Sequence, residues 1–182
     1  MNKKINIALI GAGRSGYLHC NSLKESNLFN LLYIVDTNEI VALSLKIINK
    51  LECEITNDLD TILKNKEIEA VIIATPTNSH YTLTIKALNH NKHVLCENPI
   101  GNTEKDINQC FELAEEKNLK LLIGSHRRFD KEYNLLYEKI KYDKPKTIRM
   151  ITKDHPSMPS IEYLRTSNGI IEDMISQDID II

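Results

Sequence analysis

Short apolar runs alternate with amphipathic segments over the first 125 residues of the chain. Runs rich in Ile, Leu and Val are typical of strands buried on both faces of a sheet. Between them apolar residues recur at helical spacing, as Ile107, Cys110, Phe111 and Ala114 do at i, i+3, i+4 and i+7. This alternation predicts an α/β fold, a doubly wound parallel sheet with helices on both faces. The predicted strands are 5–10, 31–35, 70–74, 93–96 and 121–124, and the predicted helices are 13–25, 39–48, 59–63, 78–89 and one that begins at Thr103.

The pattern changes after Tyr142. Lys144 and Pro145 interrupt the helical spacing, and residues 147–152 alternate like one strand of a half-exposed sheet. A loop with two prolines follows, and a new helical pattern begins at Gly169. The sequence therefore predicts a second domain that begins here and is not completed.

The turn after the first predicted strand has the spacing G-x-G-x-x-G, formed by Gly11, Gly13 and Gly16. In such a turn the first glycine permits a tight bend and the second lets the backbone approach a pyrophosphate. The third lets the following helix, whose N-terminus attracts the anion, pack closely on the strand. The second predicted strand is followed by Asp36, 20 residues after Gly16, where a carboxylate would meet an adenosine ribose. These features predict a Rossmann domain that binds a dinucleotide, with a purely structural glycine turn as the alternative.

Composition narrows the classes of partner. A formal net charge of −2 gives no reason to expect nucleic acid or membrane binding. No secretory signal and no membrane-spanning run is recognised, so we expect a soluble, cytoplasmic protein.

The four cysteines are scattered without a C-x-x-C pair, which argues against disulfides and against a zinc site. His90 and His93 form an H-x-x-H near Cys96, but they fall across a helix end and a strand start, so we interpret them as turn residues and expect no metal.

Four further segments follow the glycine turn in order along the chain. They are ATPTNSH (74–80), CENPIG (96–101), GSHRRFD (124–130) and NGIIEDMISQDID (168–180). Together they resemble the Gfo/Idh/MocA family (glucose–fructose oxidoreductase, inositol dehydrogenase and rhizopine-catabolism proteins), and the inositol 2-dehydrogenases most closely. The corresponding blocks of that family read ATPTxxH, CEKP, RRFD and GGIFxDMxIHDFD. The match is collinear from residue 5 to the C-terminus, which makes it far more specific than the glycine motif alone.

The resemblance implies a two-domain architecture. Residues 1–125 would form an NAD-binding Rossmann domain, and residues 126–182 would form the junction and the start of an α/β domain for substrate and oligomer contacts. Members of the family are considerably longer than this chain. We therefore expect a truncated substrate domain that lacks most of its sheet.

The resemblance also implies a set of cofactor contacts. Residues 11–16 would line the pyrophosphate, and Asp36 would hold the ribose diol and repel a 2′-phosphate. Thr37 offers no cation for that phosphate, so NAD is expected rather than NADP. Helix capping by Asn78 and a place for His80 in the first helical turn are the alternatives to cofactor contacts there. The expected cofactor-binding residues are Gly11, Ala12, Gly13, Arg14, Ser15, Gly16, Asp36, Thr37, Thr75, Pro76, Asn78, His80, Glu97 and Asn98, with the last two at the nicotinamide end.

The chain departs from the family at two positions that carry chemistry. The lysine of CEKP is Asn98 here, and the histidine of GGIFxDMxIHDFD is Gln177, whereas the aspartates of that block are kept, Asp173 and Asp180 among them. Oxidation of a secondary alcohol needs a base for the hydroxyl proton, and a lysine stabilises the developing negative oxygen. Gln177 cannot titrate and Asn98 carries no charge. The usual inositol-type mechanism is therefore not intact.

Three other residues are considered for the chemistry. Asp173 could act as the base if burial raised its pKa, His155 could be a donor, and Arg127 could bind a substrate oxygen. A positional role is the stronger interpretation of each, and Arg127 and Arg128 could equally be solvated or paired. The expected catalytic positions are thus Asp173, Asn98 and Gln177, and the expected substrate contacts are Arg127, His155, Asp173 and Gln177.

The resemblance implies an NAD-dependent oxidoreductase that transfers a hydride between a secondary alcohol of a polyol or sugar and nicotinamide. The two substitutions and the short chain favour an alternative, namely an inactive cofactor-binding remnant or a sensing or partner-binding module. The apolar face that ends at Ile181 and Ile182 lacks a covering layer, which predicts a homo-oligomer. A separate chain that supplies the missing sheet is the other partner considered.

Overall fold

Six strands pair side by side in one parallel sheet. The computed structural model describes residues 3–142, 145–151 and 175–180. The strands are β1 (Ile5–Ile10), β2 (Phe29–Val35), β3 (Glu54–Thr56), β4 (Ala70–Ile73), β5 (His93–Cys96) and β6 (Leu121–Ile123). Their order is β3-β2-β1-β4-β5-β6, and every neighbouring pair is parallel. The strand order reverses between β1 and β4, so the carboxyl ends of these two strands border the crevice where open α/β sheets bind ligands. The predicted doubly wound Rossmann sheet is confirmed.

Four of the described α-helices begin after a residue whose side chain accepts a hydrogen bond from the first turn. Asn38, Asp58, Thr103 and Asp130 each accept from a main-chain N–H two or three residues further on. The α-helices are α1 (Arg14–Glu25), α2 (Glu39–Asn49), α3 (Leu59–Lys64), α4 (His80–Asn89), α5 (Glu104–Glu116), α6 (Lys131–Ile140) and α7 (Ser176–Ile179). Two 3-10 helices span Thr77–Ser79 and His126–Phe129. None of the helices in the described ranges is long and apolar enough to cross a membrane.

Both faces of the sheet are buried. Alternate residues of β1 belong to different apolar clusters, Ala8 and Ile10 to one and Ile7 and Leu9 to the other. Successive side chains of a strand point to opposite faces, so helices cover the sheet on both sides. This double burial explains why the strands appear in the sequence as continuous apolar runs rather than as an alternation.

The chain divides into two compact units, residues 1–123 and 124–182. The first holds the sheet and α1 to α5. The described part of the second holds the 3-10 helix His126–Phe129, α6 and α7.

Three predictions of secondary structure were incomplete or wrong. The short strand β3 and the helix α6 were not predicted, although Asp130 caps α6 by accepting from the N–H groups of Glu132 and Tyr133. The strand predicted at 147–152 is wrong for 147–151, to which the structure assigns no strand. Alternation alone does not make a strand, because a strand also needs a neighbour to complete its main-chain hydrogen bonds. The helical pattern predicted from Gly169 lies largely outside the described residues, which include only α7 of it.

Candidate cofactor site

The glycine turn lies against main-chain atoms on two sides. Gly11 has φ +99°, and a Cβ atom there would lie 2.5 Å from the carbonyl oxygen of Ala74 and 2.9 Å from the nitrogen of Thr75. A Cβ atom at Gly16 would lie 2.2 Å from the carbonyl oxygen of Gly11. The turn after β1 therefore packs directly on the chain that leaves β4, and α1 packs directly on the turn. Only glycine fits these two positions without a shift of the backbone.

Gly13 is exposed and faces open space. A Cβ atom at this position would have no described atom within 4 Å. Gly13 is the N-cap of α1 and has no side chain that could accept from the first helical turn, and the helical bonding begins with Tyr17 N–H donating to the Gly13 carbonyl at 2.9 Å. The free space and the unsatisfied N–H groups of the first turn suit an anionic pyrophosphate.

The carboxylate of Asp36 is held beside this turn. Its Oδ2 atom accepts from the N–H of Ala12 at 2.8 Å, and its Oδ1 atom accepts from the N–H of Asn38 at 2.8 Å. The side chain is half-buried and Thr37 beside it is exposed. The acid that follows β2 is thus fixed at the edge of the crevice, and neither Thr37 nor Asn38 supplies a positive charge for a 2′-phosphate. The glycine turn and Asp36 together fit NAD.

The chain that leaves β4 makes an extra turn before the next helix. Thr75 is half-buried, Pro76 and Asn78 are exposed, and Asn78 lies inside the 3-10 helix Thr77–Ser79. Ser79 is the N-cap residue of α4, but its hydroxyl donates to the carbonyl of Pro76 at 2.7 Å instead of capping the helix. The interpretation of Asn78 as a helix N-cap is therefore wrong, because the 3-10 turn delays the start of α4.

His80 joins the two loops that follow β4 and β5. It is the first residue of α4 and only 2% exposed. Its Nε2 atom lies 2.7 Å from the carbonyl oxygen of Thr75, and its Nδ1 atom lies 2.8 Å from that of Pro99. Both ring nitrogens are thus occupied by main-chain carbonyls, and the ring supports the backbone at the carboxyl edge of the sheet.

Glu97 follows β5 at the same edge and is held by two contacts. Its N–H donates to the carbonyl of Ile73 at 2.9 Å, which ties it to β4. Its Oε1 atom lies 2.6 Å from Nε2 of His19, and the two side chains are 23% and 21% exposed. His19 stands on α1, three residues after Gly16, and the sequence analysis missed it. Helical periodicity marks it only as a polar position, and nothing local indicates a partner 78 residues away.

Two ion pairs organise the described part of the second unit. Arg127 pairs with Asp178, and Arg128 donates to both carboxylate oxygens of Asp180, at 2.7 and 2.6 Å. The Arg128 guanidinium lowers the pKa of Asp180 below its usual range. Arg127 and Arg128 are therefore both paired, and the Arg128 side chain is also largely exposed to solvent.

Gln177 precedes Asp178 in α7. Its Oε1 atom is buried without a hydrogen-bond partner among the described residues. The other two residues proposed for chemistry, His155 and Asp173, lie outside the described residues.

His90, His93 and the four cysteines serve local structure in the first unit. His90 Nδ1 lies 2.8 Å from the carbonyl oxygen of Lys86, and His93 Nδ1 accepts from the N–H of Lys120 at 2.9 Å. Across the described ranges, no three His, Cys, Asp or Glu residues form a group that could hold a metal ion. The four cysteines are buried and unpaired, and burial raises the pKa of their thiols.

Several known oxidoreductases resemble this chain in sequence and in fold. A family model described as an oxidoreductase family with an NAD-binding Rossmann fold matches residues 5–125. The myo-inositol 2-dehydrogenase of Thermotoga maritima is 31% identical over 180 residues, which cover 97% of this chain and 53% of that protein. An inositol 2-dehydrogenase of Rhizobium meliloti is 29% identical over 178 residues, with coverages of 97% and 53%. The solved structure of scyllo-inositol dehydrogenase from Lactobacillus casei, with bound NAD(H) and scyllo-inositol, is 28% identical with a TM-score of 0.71 and covers 78% of this chain and 42% of that chain.

The chain spans about half the length of the curated relatives it matches. The resemblance to inositol 2-dehydrogenases and the expectation of NAD as the cofactor are confirmed. Because the matched region contains the glycine turn, Asp36 and the whole sheet, the chain belongs to the Gfo/Idh/MocA oxidoreductases, the family with an NAD-binding Rossmann fold.

Proposed function

We propose that this chain binds NAD along the carboxyl edge of its sheet and serves an NAD-dependent dehydrogenase of inositol or a related polyol or sugar. The observation that carries the proposal is the Asp36 carboxylate, held against the glycine turn by the N–H of Ala12 at 2.8 Å. A carboxylate at this edge can accept from both hydroxyls of a ribose and repels a 2′-phosphate. The bound nicotinamide would accept or return the hydride, and the resemblance to inositol dehydrogenases supports the substrate class.

The residues at the carboxyl edge divide into those that touch the cofactor and those that support them. We assign the pyrophosphate to residues 11–16, the ribose to Asp36 and Thr37, and the nicotinamide half to the loops after β4 and β5, with Thr75, Pro76, Asn78, Glu97 and Asn98. His80 holds these two loops together through the carbonyls of Thr75 and Pro99. Residues 1–125 would then be the cofactor domain, and residues 126–182 the junction and the start of the substrate domain.

Asn98 and Gln177 limit the chemistry that this chain can perform. Asn98 can donate a hydrogen bond to a substrate hydroxyl but adds no charge, and Gln177 can donate or accept one but cannot take up the hydroxyl proton. Loss of a general base typically costs about 10²–10⁴ in rate. Asp173 is the residue that we propose as a replacement base, and His155 would be a hydrogen-bond donor.

A cofactor-binding protein without turnover is the second candidate function. The observation that favours it is that the amide side chains Asn98 and Gln177 stand where the family has lysine and histidine. In either case we propose that the chain associates with a second copy of itself or with a separate chain. The two candidates share the cofactor site and differ only in chemistry.

Titration of the purified chain with NADH and with NADPH tests the cofactor site. The chain contains no tryptophan, so nicotinamide emission can be followed directly. We expect NADH to bind tightly and NADPH weakly, and Asp36→Ala to weaken NADH binding by about tenfold or more, since a hydrogen bond to a charged group contributes about 1.5–3 kcal/mol. Asp58→Ala is the matched control, because Asp58 also accepts main-chain N–H groups in the loop after a strand but caps α3. A folded chain that binds neither nucleotide, or both equally, would contradict the proposal.

A panel of polyols with saturating NAD then separates the two candidate functions. Turnover by the chain supports the dehydrogenase. If the chain is silent, Asn98→Lys combined with Gln177→His should raise turnover, because the pair restores a cation and a titratable base. A folded, cofactor-saturated double variant that stays silent would favour the non-catalytic candidate.

A further inference from the structure

The position of the nicotinamide half follows from the strand order. Asp36 marks the adenosine side because it follows β2, and the glycine turn after β1 marks the pyrophosphate. A dinucleotide that crosses the reversal in strand order must continue from β1 toward β4 and β5. The residue that follows β5 is Glu97, so its carboxylate lies on the nicotinamide side of the sheet edge.

Glu97 is fixed more firmly than a solvent-exposed acid. Its backbone is tied to the carbonyl of Ile73 at 2.9 Å, and its Oε1 atom contacts His19 Nε2 at 2.6 Å. An ionised carboxylate only accepts, so the hydrogen of this bond belongs to the histidine. His19 stands on α1, the helix whose N-terminus faces the pyrophosphate, and it leaves Oε2 of Glu97 outside this bond.

A fixed carboxylate acts differently on the two redox states of the cofactor. The oxidised nicotinamide ring carries a positive charge and the reduced ring is neutral. A nearby negative charge therefore stabilises the bound oxidised form, and partial burial strengthens the interaction by limiting solvent screening. Both side chains of the pair are less than one quarter exposed.

We propose that His19 and Glu97 form a positioning pair that sets the preference of the site between oxidised and reduced nicotinamide, with Glu97 supplying the charge and His19 holding it in place. The proposal rests on the proposed NAD-binding function and adds to it a specificity for redox state. It assigns a role to His19, which lies outside the motifs that indicate the family.

Calorimetric titration of the full chain with NAD⁺ and with NADH measures the ratio of the two dissociation constants. We expect Glu97→Gln to raise the ratio Kd(NAD⁺)/Kd(NADH) by about fivefold, because the variant keeps the shape and removes the charge. His19→Ala should raise the ratio by about twofold, since the carboxylate loses its donor. His19→Gln retains an N–H donor and should return the ratio toward that of the parent chain. The double variant His19→Ala with Glu97→Gln should match Glu97→Gln alone, because His19 acts through Glu97.

The matched control is Glu69→Gln. Glu69 also accepts from a main-chain N–H, of Asn6, and pairs with Lys3 at 3.2 Å, but it lies before β4 at the opposite edge of the sheet. This variant should leave the ratio unchanged. Thermal unfolding of each variant without cofactor measures any loss of stability separately. A purely structural role would weaken the binding of both cofactors equally and would leave the ratio unchanged.

The outcomes distinguish a failure of the proposed NAD-binding function from a failure of the role given to His19 and Glu97. If the parent chain binds neither cofactor, the proposed function fails and this inference falls with it. If the parent chain binds both and Glu97→Gln changes both constants by the same factor, only the inference is overturned. A fall in the ratio for His19→Ala would show that His19 neutralises Glu97 instead of positioning it, and would also overturn the proposal.

Discussion

Gly16 and Gly13 belong to one turn, but alanine should have different effects at the two positions. We expect it to lower the stability of the fold at Gly16 and the affinity for NADH at Gly13. In Gly16→Ala the new Cβ atom would lie 2.2 Å from the carbonyl oxygen of Gly11, whereas ordinary contact begins near 3.4 Å. The start of α1 must therefore move by about 1 Å from the turn, and both partners are main chain that cannot swing aside. Overpacking of this kind costs about 1–3 kcal/mol, at the upper end here, and the better helix propensity of alanine returns about 1 kcal/mol. We expect a net loss of about 2 kcal/mol in the free energy of unfolding.

Urea unfolding measures that loss, and Gly13→Ala provides the matched comparison. At Gly13 the added methyl group would meet no described atom within 4 Å, and the φ of −76° is one that alanine adopts freely. The stability of this variant should change by less than about 1 kcal/mol, because the less flexible unfolded state of alanine offsets its poorer fit at an N-cap position. Its NADH affinity should nevertheless fall, since the methyl group occupies the approach to the pyrophosphate. A Gly16→Ala chain as stable as the parent, or a Gly13→Ala chain with undiminished NADH affinity, would refute the reasoning.

Three further predictions concern pH and buried charge. Burial raises the pKa of Cys20 and Cys96 to about 12 from 9.0, so the stability they contribute should be intact below pH 9 and fall as the pH rises toward 12, as measured by urea unfolding at alkaline pH. Arg128 lowers the pKa of Asp180, so the stabilisation is present above the ordinary carboxyl pKa and is lost as the pH falls through the lowered value. Arg128→Ala should therefore make unfolding less sensitive to acid in the same assay. Lys92 donates to two main-chain carbonyls at 2.6 and 2.8 Å, so Lys92→Met should lower stability by about 1–3 kcal/mol while NADH affinity stays unchanged, because Lys92 lies at the amino end of β5.

The parts of the fold that could be predicted from the sequence are those encoded locally. The strands β1 and β4 are continuous apolar runs because both of their faces are covered, and the glycine turn and Asp36 are neighbours of strand ends. The strand β3 was missed because it consists of three residues at the edge of the sheet, with the mixed sequence Glu-Ile-Thr. The helix α6 carried a recognisable capping signal at Asp130, but none of its residues is buried, so no apolar stripe marked its extent.

The side-chain partners could not be predicted, because each depends on the strand order. His19 and Glu97 are 78 residues apart, and they meet because the helix after β1 and the loop after β5 share one edge of the sheet. The same holds for the carbonyls that His80 joins, which follow β4 and β5. Sequence patterns therefore identified the type of site, whereas the residues that orient it required the topology.

The two arginine pairs change the interpretation of the arginines themselves. A guanidinium has five N–H donors, so pairing with a carboxylate fixes its orientation and leaves its remaining donors to bind a further oxygen. Arg127 is engaged with Asp178, the residue directly after Gln177. This pair links the 3-10 helix His126–Phe129 to α7, beside the Gln177 amide. The Oε1 atom of Gln177 is buried without a hydrogen-bond partner among the described residues, so it retains the capacity to accept a hydrogen bond.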